Sequence, residues 1–217
     1  RYTKDTHKLY AYSLRRWFEW CTAHGLDPLI GIQRAHVELY IRYLGESGDN
    51  GLTASTVVTM MHGVRGYFKF AHVDGLIPND PAIYARLPAA HRDESRVTGL
   101  DRLELIKFLK VAPPISVHHG ALAHMLGILA LRASEAAAVR IEDYAETQRG
   151  HRVLHLVGKG NKPATIPLTI PVIRAMDAAK GDRTSGTLIL RPLSGNPINR
   201  HDIYRMVRRI ANEAGLP

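Results

Sequence analysis

Arg132, Glu135 and Lys159 are the residues whose types and spacing bear most directly on chemistry. They fall in one stretch, residues 129–168, which reads LALRASEAAAVRIEDY, then a polar spacer around QRGHR, then VLHLVGKGNKPATIPL. A guanidinium offers a planar fork matched to a phosphate diester and stays charged at any working pH. A lysine on a glycine-flanked turn is a mobile point charge and a candidate proton donor, and the flanking glycines let backbone approach a phosphate closely. Arginine and lysine converging on one phosphate stabilise the charge that develops in phosphoryl transfer. Each also has an ordinary alternative. Arg132 can be a helix-end cation satisfying carbonyls, and Lys159 a solvated hairpin tip.

The local pattern predicts the elements that position these groups. Residues 118–131 form an apolar helix that ends at Arg132, and Ser134 can cap the next one. Residues 153–157 alternate as a strand, 158–163 read as a tight turn, and 164–168 as a second strand. The expected element is helix, arginine, short helix, then a β-hairpin with lysines at its tip.

The combination is more specific than any single residue. LALR-A-SE followed by LVGKGNKPATIPL resembles the tyrosine recombinase (phage integrase) family near its first catalytic box. The common form there is Gly-Leu-Arg-x-Ser-Glu, then a Gly-Lys-Gly-x-Lys hairpin closing on Val-Pro-Leu. In this chain Ala130 stands at the usual glycine, and Ile166-Pro167-Leu168 closes the hairpin. The resemblance covers nearly the whole chain.

Composition bounds the reading. The 217 residues are 45% hydrophobic and 23% charged, as in ordinary globular domains, and suffice for one large or two smaller ones. No apolar run approaches the roughly eighteen residues of a membrane span. Cys21 is the only cysteine, which excludes a disulfide framework or a multi-cysteine zinc site and fits a reducing, intracellular setting. The net charge is +9, which favours an acidic polymer as partner; a basic enzyme that binds no polymer is the bland alternative. Residues 1–96 hold 12 Lys/Arg against 10 Asp/Glu, and residues 97–217 hold 17 against 10.

Taken in order, residues 6–23 read as an amphipathic helix with Tyr10, Leu14, Trp17, Phe18 and Cys21 on one stripe. A second helix covers 34–44, with Val37, Tyr40, Ile41 and Leu44 inward. A third covers 53–72, capped by Thr53 or Ser55, with Val57, Met60, Val64, Tyr67, Phe68 and Ala71 inward. A last short helix starts at 79–82, with Pro81 in its first turn. Trp17, Trp20, Tyr67 and Phe68 are expected in the core rather than as base-stacking platforms.

Residues 88–97 are polar and unpatterned and read as an interdomain linker. A capping box around Asp101 opens the next helix, with Leu103, Ile106 and Leu109 inward. Pro113-Pro114 is expected to break the chain. Residues 170–179 form another helix, with Ile173 and Met176 inward, and residues 188–190 are a buried segment. A long helix over 199–214 buries Ile203, Met206, Val207 and Ile210 and turns Arg200, Arg205, Arg208 and Arg209 outward, as a helix lying along DNA would. The spacing of His118, His119 and His124 does not put them on one helical face, and a site would also want nearby carboxylates or cysteines, so no metal is expected. GKGNKP lacks the spacing of a phosphate-binding nucleotide loop.

The resemblance implies a mainly α chain of two domains. Residues 1–88 would be a four-helix SAM-like core-binding domain that clamps DNA, 89–97 a linker, and 98–217 an α+β integrase catalytic domain with a small antiparallel sheet, its C-terminal part missing. The phrases YAYSLRRWFEWC and LTASTVVTMMHGVRGYFKFAHVDGLIPNDPA carry the first half of that likeness. Ser55, Thr56, Arg65 and Lys69 are candidate phosphate contacts there, and Lys162, Arg200, Tyr204, Arg205 and Arg208 in the second domain. By resemblance Arg132 holds the scissile phosphate, Glu135 orients the site and Lys159 is general acid to the leaving 5′-oxygen. The family's nucleophile is a tyrosine that forms a 3′-phosphotyrosyl link without cofactor or metal. That tyrosine and a preceding His-x-x-Arg box lie further downstream in the family, so the chain, which opens on Arg1, is read as a fragment that binds double-stranded DNA without cleaving it. Tyr144 is expected to pack, and Tyr204 to pack or touch a phosphate. The full-length family enzyme works as a homotetramer on DNA, with a monomer expected of this fragment alone, in the cytoplasm of a bacterium or phage host near the nucleoid. The alternative is a noncatalytic DNA-binding regulator derived from an integrase.

Overall fold

Three amphipathic helices carry the first part of the chain in the computed structural model, which describes residues 4–46, 51–90, 99–158, 160 and 162–216. The chain divides into two units, Arg1–Val97 and Thr98–Pro217. Most of the expected linker falls on residues 91–98, outside the described residues.

In the first unit, α1 spans Lys4–Ala23, α2 Arg34–Glu46 and α3 Ala54–Val73. Trp17 is the centre of the core, edge-on to Tyr40 at 5.0 Å and to Phe68 at 5.7 Å, and its indole N–H donates to the Pro28 carbonyl at 3.0 Å. Val37, Tyr40, Ile41 and Leu44 face this core from α2, as their spacing predicts. Trp17, Trp20 and Cys21 are buried as expected, but the α1 stripe is rotated: Phe18 is 38% exposed and Leu14 only half-buried. The cause is the helix crossing. Gly63 on α3 carries no side chain, so a Cβ there would stand 3.0 Å from the Ser13 Cβ. With small residues at the closest approach, the two indoles turn inward and bury more apolar area than Leu14 and Phe18 could.

Thr53 caps α3, accepting from the Thr56 N–H at 3.3 Å. The expected fourth helix does not form: residues 81–84 are a turn, opened by Asp80 Oδ1 accepting from the Ala82 N–H. Only Ala82 and Ala85 turn inward, while Ile83 and Tyr84 are exposed, too little apolar stripe to hold a helix. Leu87 precedes Pro88 and is biased to extended backbone.

The second unit holds α4 (Arg102–Ile115), α5 (Val117–Gly127), α6 (Ala133–Ala138), a 3-10 turn at Ile141–Tyr144, then β1 (Thr147–Gln148), β2 (His151–Gly158) and β3 (Lys162–Pro167), followed by α7 (Ile170–Lys180) and α8 (Arg200–Glu213). The strands form one antiparallel sheet in the order β1-β2-β3. The spacer Arg149-Gly150 is itself a hairpin turn, both residues at positive φ (50° and 82°), the geometry that matches strand twist. Val153 pairs with Pro167 and Gly158 with Lys162, so the second hairpin is longer and its turn shorter than expected. The core gathers Leu122, Met125, Tyr144, Leu154, Val172, Met176, Leu188 and Ile189.

Two further expectations are corrected. Phe108 and Ala112 form the buried face of α4, and Leu103 is 69% exposed. The helix also runs through Pro113 and Pro114 rather than breaking at them. Both prolines are exposed in its last turn, where the amides they lack leave carbonyls to water. Ser116 then caps α5 through the His119 N–H at 3.2 Å.

Candidate active site and nucleic-acid interface

The apolar helix stops at Gly127, short of Arg132. A Cβ on Gly127 would stand 2.9 Å from Leu105 Cδ1, so α4 crowds the helix end there. The chain reverses through Ala130 at φ 52°, and the Leu131 N–H donates back to the Met125 carbonyl at 3.2 Å. Left-handed backbone after a helix end is the usual place for glycine, the residue that Ala130 replaces in the motif.

Arg132 lies past the end of α5, as the residue preceding α6, and Ser134 lies inside the first turn of α6 instead of capping it. Glu135 organises this corner. Its carboxylate accepts from the Arg132 backbone N–H at 2.8 Å and from the Arg132 Nη1 at 2.7 Å. The Arg132 side chain is 65% exposed and that of Glu135 11%, so the acid is an inner brace and the guanidinium faces out. The Arg132 N–H, followed by its guanidinium, holds the Glu135 carboxyl below the usual glutamate range.

The turn end of the hairpin stands beside this pair. A Cβ on Gly158 would lie 3.9 Å from Glu135 Oε1. Gly158 pairs with Lys162, which is exposed at the start of β3. Lys159 falls between them in sequence and lies outside the described residues. Tyr144 packs as expected: it is buried, and its hydroxyl donates to Asp177 Oδ1 at 3.4 Å. Burial and Asp177 push its phenol up to about 12.

On α8 the capping box is complete. Asn199 Oδ1 accepts from the N–H groups of His201 and Asp202, and Asp202 accepts from the Asn199 N–H. Arg200, Tyr204, Arg205 and Arg208 are all exposed. Arg208 lies over the Tyr204 ring at 5.8 Å, and Arg205 donates to the buried Asp202. Sequence reasoning missed Arg191, whose Nε also donates to Asp202, at 2.9 Å. No periodic signal ties a loop arginine to a helix acid eleven positions on.

In the first unit Ser55, Thr56 and Lys69 are exposed, and the Thr56 hydroxyl is bonded to that of Thr53 at 2.9 Å. Arg65 has an inward role. Its Nη2 donates to the Ala85 carbonyl at 2.6 Å and its Nε is buried, so it ties the 81–84 turn to α3 instead of facing out. Among the described residues no three of His, Cys, Asp and Glu gather as a metal would require, and no helix is long and apolar enough to cross a membrane.

Residues 96–217 match the model of the phage integrase family, and residues 1–75 that of the phage integrase N-terminal SAM-like domain. The chain is 27% identical to the tyrosine recombinase XerD of Corynebacterium glutamicum over 98% of its own length and 73% of that protein. Its fold is similar to that of lambda integrase (residues 75–356), solved as a dimer bound to a COC′ core site, with a TM-score of 0.73 at 16% identity, covering 100% of this chain and 77% of that one. It is also similar to the XerH site-specific recombinase bound to a palindromic difH substrate, with a TM-score of 0.69 at 18% identity, covering 97% of this chain and 63% of that one.

Proposed function

The chain belongs to the phage integrase family, the tyrosine recombinases, and from that premise we propose that its residues bind duplex DNA and hold one backbone phosphate for strand breakage and rejoining. In this reading Arg132 clamps the phosphate, Glu135 fixes the clamp, and Lys159 protonates the leaving 5′-oxygen. The observation that carries it is the position of Glu135, which holds Arg132 through two hydrogen bonds and lies beside Gly158, the neighbour of Lys159 in sequence. With Nη1 turned to Glu135, the remaining edge of the guanidinium is the one that can take a pair of phosphate oxygens.

The chemistry of the family then assigns the steps. A tyrosine oxygen attacks phosphorus, the bond to the 5′-oxygen breaks, and a general acid delivers the proton that this oxygen needs. Arg132 stabilises the charge that builds on the non-bridging oxygens. Ester bond energy is kept in the phosphotyrosyl link, so the scheme needs no cofactor. Arg200, Tyr204, Arg205 and Arg208 on α8, with Lys162, make the proposed DNA face of the second unit; Ser55, Thr56 and Lys69 make that of the first. Assembly as a tetramer on two duplexes belongs to the same proposal, for the full-length enzyme.

No His-x-x-Arg follows Lys159 within these 217 residues, and Tyr144 is buried against Asp177. The 217 residues by themselves are therefore expected to bind DNA and leave it uncut. Titration with a labelled duplex tests the first half. Affinity should fall steeply with added salt as phosphate contacts release counterions, and absent or salt-indifferent binding would overturn the reading. Denaturing gels test the second half: a covalent protein–DNA adduct would contradict it.

A further inference from the structure

Arg191 sits at the base of a tight turn just before α8. Its N–H donates to the Asn196 carbonyl at 2.8 Å, and its own carbonyl accepts from the Gly195 N–H at 2.9 Å. Leu190 and Pro197 form a bridge across the same base. The backbone of Arg191 is thus fixed on both sides, and Asp202 fixes its side chain. That acid is 6% exposed as a side chain and receives three groups: the Asn199 N–H, Arg191 Nε and Arg205 Nη2. The bond to Arg191 is made through Nε, which leaves its two terminal nitrogens without a bond to the acid. The side chain remains 42% exposed.

We propose that Arg191 is a further phosphate-contacting residue of the DNA face, and that Asp202 is the positioning residue that aims Arg191 and Arg205 together. The proposal rests on the DNA-binding reading above. The His201 and Asp202 amides at the start of α8 are already bonded to Asn199, so the contact assigned here is made by side chains. A pre-aimed guanidinium loses less freedom on binding than a free one. Asp202 stays ionised in this role, since the Asn199 N–H and then the two guanidiniums hold it below the usual aspartate range.

Charge counting and positioning predict opposite signs for one variant. Asp202→Asn removes a negative charge from a DNA-binding face, so net charge alone predicts tighter binding. If Asp202 acts by aiming two arginines, the same exchange weakens binding. The measurement is the affinity of the 217-residue chain for a mixed-sequence duplex of about 30 base pairs over a salt series, where the slope counts phosphate contacts. Arg191→Ala is expected to bind roughly five- to tenfold more weakly near 0.1 M salt, with a slope shallower by about one. Arg191→Lys should recover much of the slope and little of the affinity, because the charge returns without the fork. Asp202→Asn should weaken binding severalfold, and less so in the Arg191→Ala background.

Circular dichroism confirms folding of each variant, and Asn at 202 keeps an acceptor for the helix cap. An unchanged slope in Arg191→Ala overturns the phosphate contact, as does a loss confined to particular sequences, which marks a base-edge contact instead. Tighter binding by Asp202→Asn, or an equal loss in both backgrounds, overturns the positioning role. A wild-type chain without salt-dependent affinity overturns the DNA-binding reading itself, and this proposal with it.

Discussion

Ala130 holds φ 52° directly before the site arginine. Left-handed backbone costs an L-residue about 1–2 kcal/mol, against roughly 0.4–1 kcal/mol that glycine loses through its freer unfolded chain. Ala130→Gly should therefore raise stability by up to about 1 kcal/mol, seen as a higher urea midpoint at unchanged slope; an unchanged or lower midpoint would show that the turn carries no strain. Glu135 supports a second prediction. Its carboxyl is held below the usual range by the Arg132 N–H and guanidinium, so its contribution is complete at neutral pH and is lost as pH falls through that lowered value. The stability gap between wild type and Glu135→Gln should be widest near neutrality and should narrow only as pH falls below the ordinary glutamate range and through the lowered folded value. A gap that is independent of pH would show that the carboxylate charge is not what stabilises this corner. The Arg132–Glu135 pair was legible because a glutamate three residues into a helix is a local signal. Arg65 was not: its partner is a backbone carbonyl twenty residues away, and no side-chain pattern announces that. Arg191 escaped for the same reason.

Elements reveal a different boundary between what sequence carries and what packing decides. The hairpin, the capping box at Asp101 and the inner face of α2 follow from residue types at short spacing. The rotation of α1 and of the α4 inner face does not, because each depends on which partner helix comes close. Gly63 is the test of that account. A Cβ there would stand 3.0 Å from Ser13 Cβ and 3.5 Å from Tyr10 Cα, both attached to the α1 backbone and unable to swing aside. Alanine would gain about 1 kcal/mol of helix propensity and lose about 1–3 kcal/mol to overpacking. Gly63→Ala is expected to be net destabilising in thermal melts, with part of the loss restored by adding Ser13→Gly. A more stable single variant would mean that helix propensity, not the crossing, governs α3 at this point. The same logic explains Pro113, which an element-by-element reading takes for a breaker. Its ring fills the space left by Gly120, where a Cβ would stand 3.2 Å from the Pro113 Cα.

At the scale of the whole molecule, the excess charge is uneven: 12 cations against 10 acids in residues 1–96, but 17 against 10 in residues 97–217. If phosphate neutralisation drives binding, the second unit contributes more of the electrostatic free energy, and ligand binding stabilises whichever unit makes the contacts. The two units can be followed separately in the intact chain. Both tryptophans, Trp17 and Trp20, lie in the first unit's core, so indole emission reports its unfolding, while far-ultraviolet dichroism reports both. Saturating duplex DNA at low salt should raise the dichroism transition more than the tryptophan transition, and the difference should vanish at about 0.5 M salt, where the Debye length is only a few ångström. An equal rise by both probes would mean that the units bind as one clamp with comparable contacts. A larger rise by tryptophan would place the main DNA grip on α3, around Ser55, Thr56 and Lys69, despite the near-neutral balance of that half.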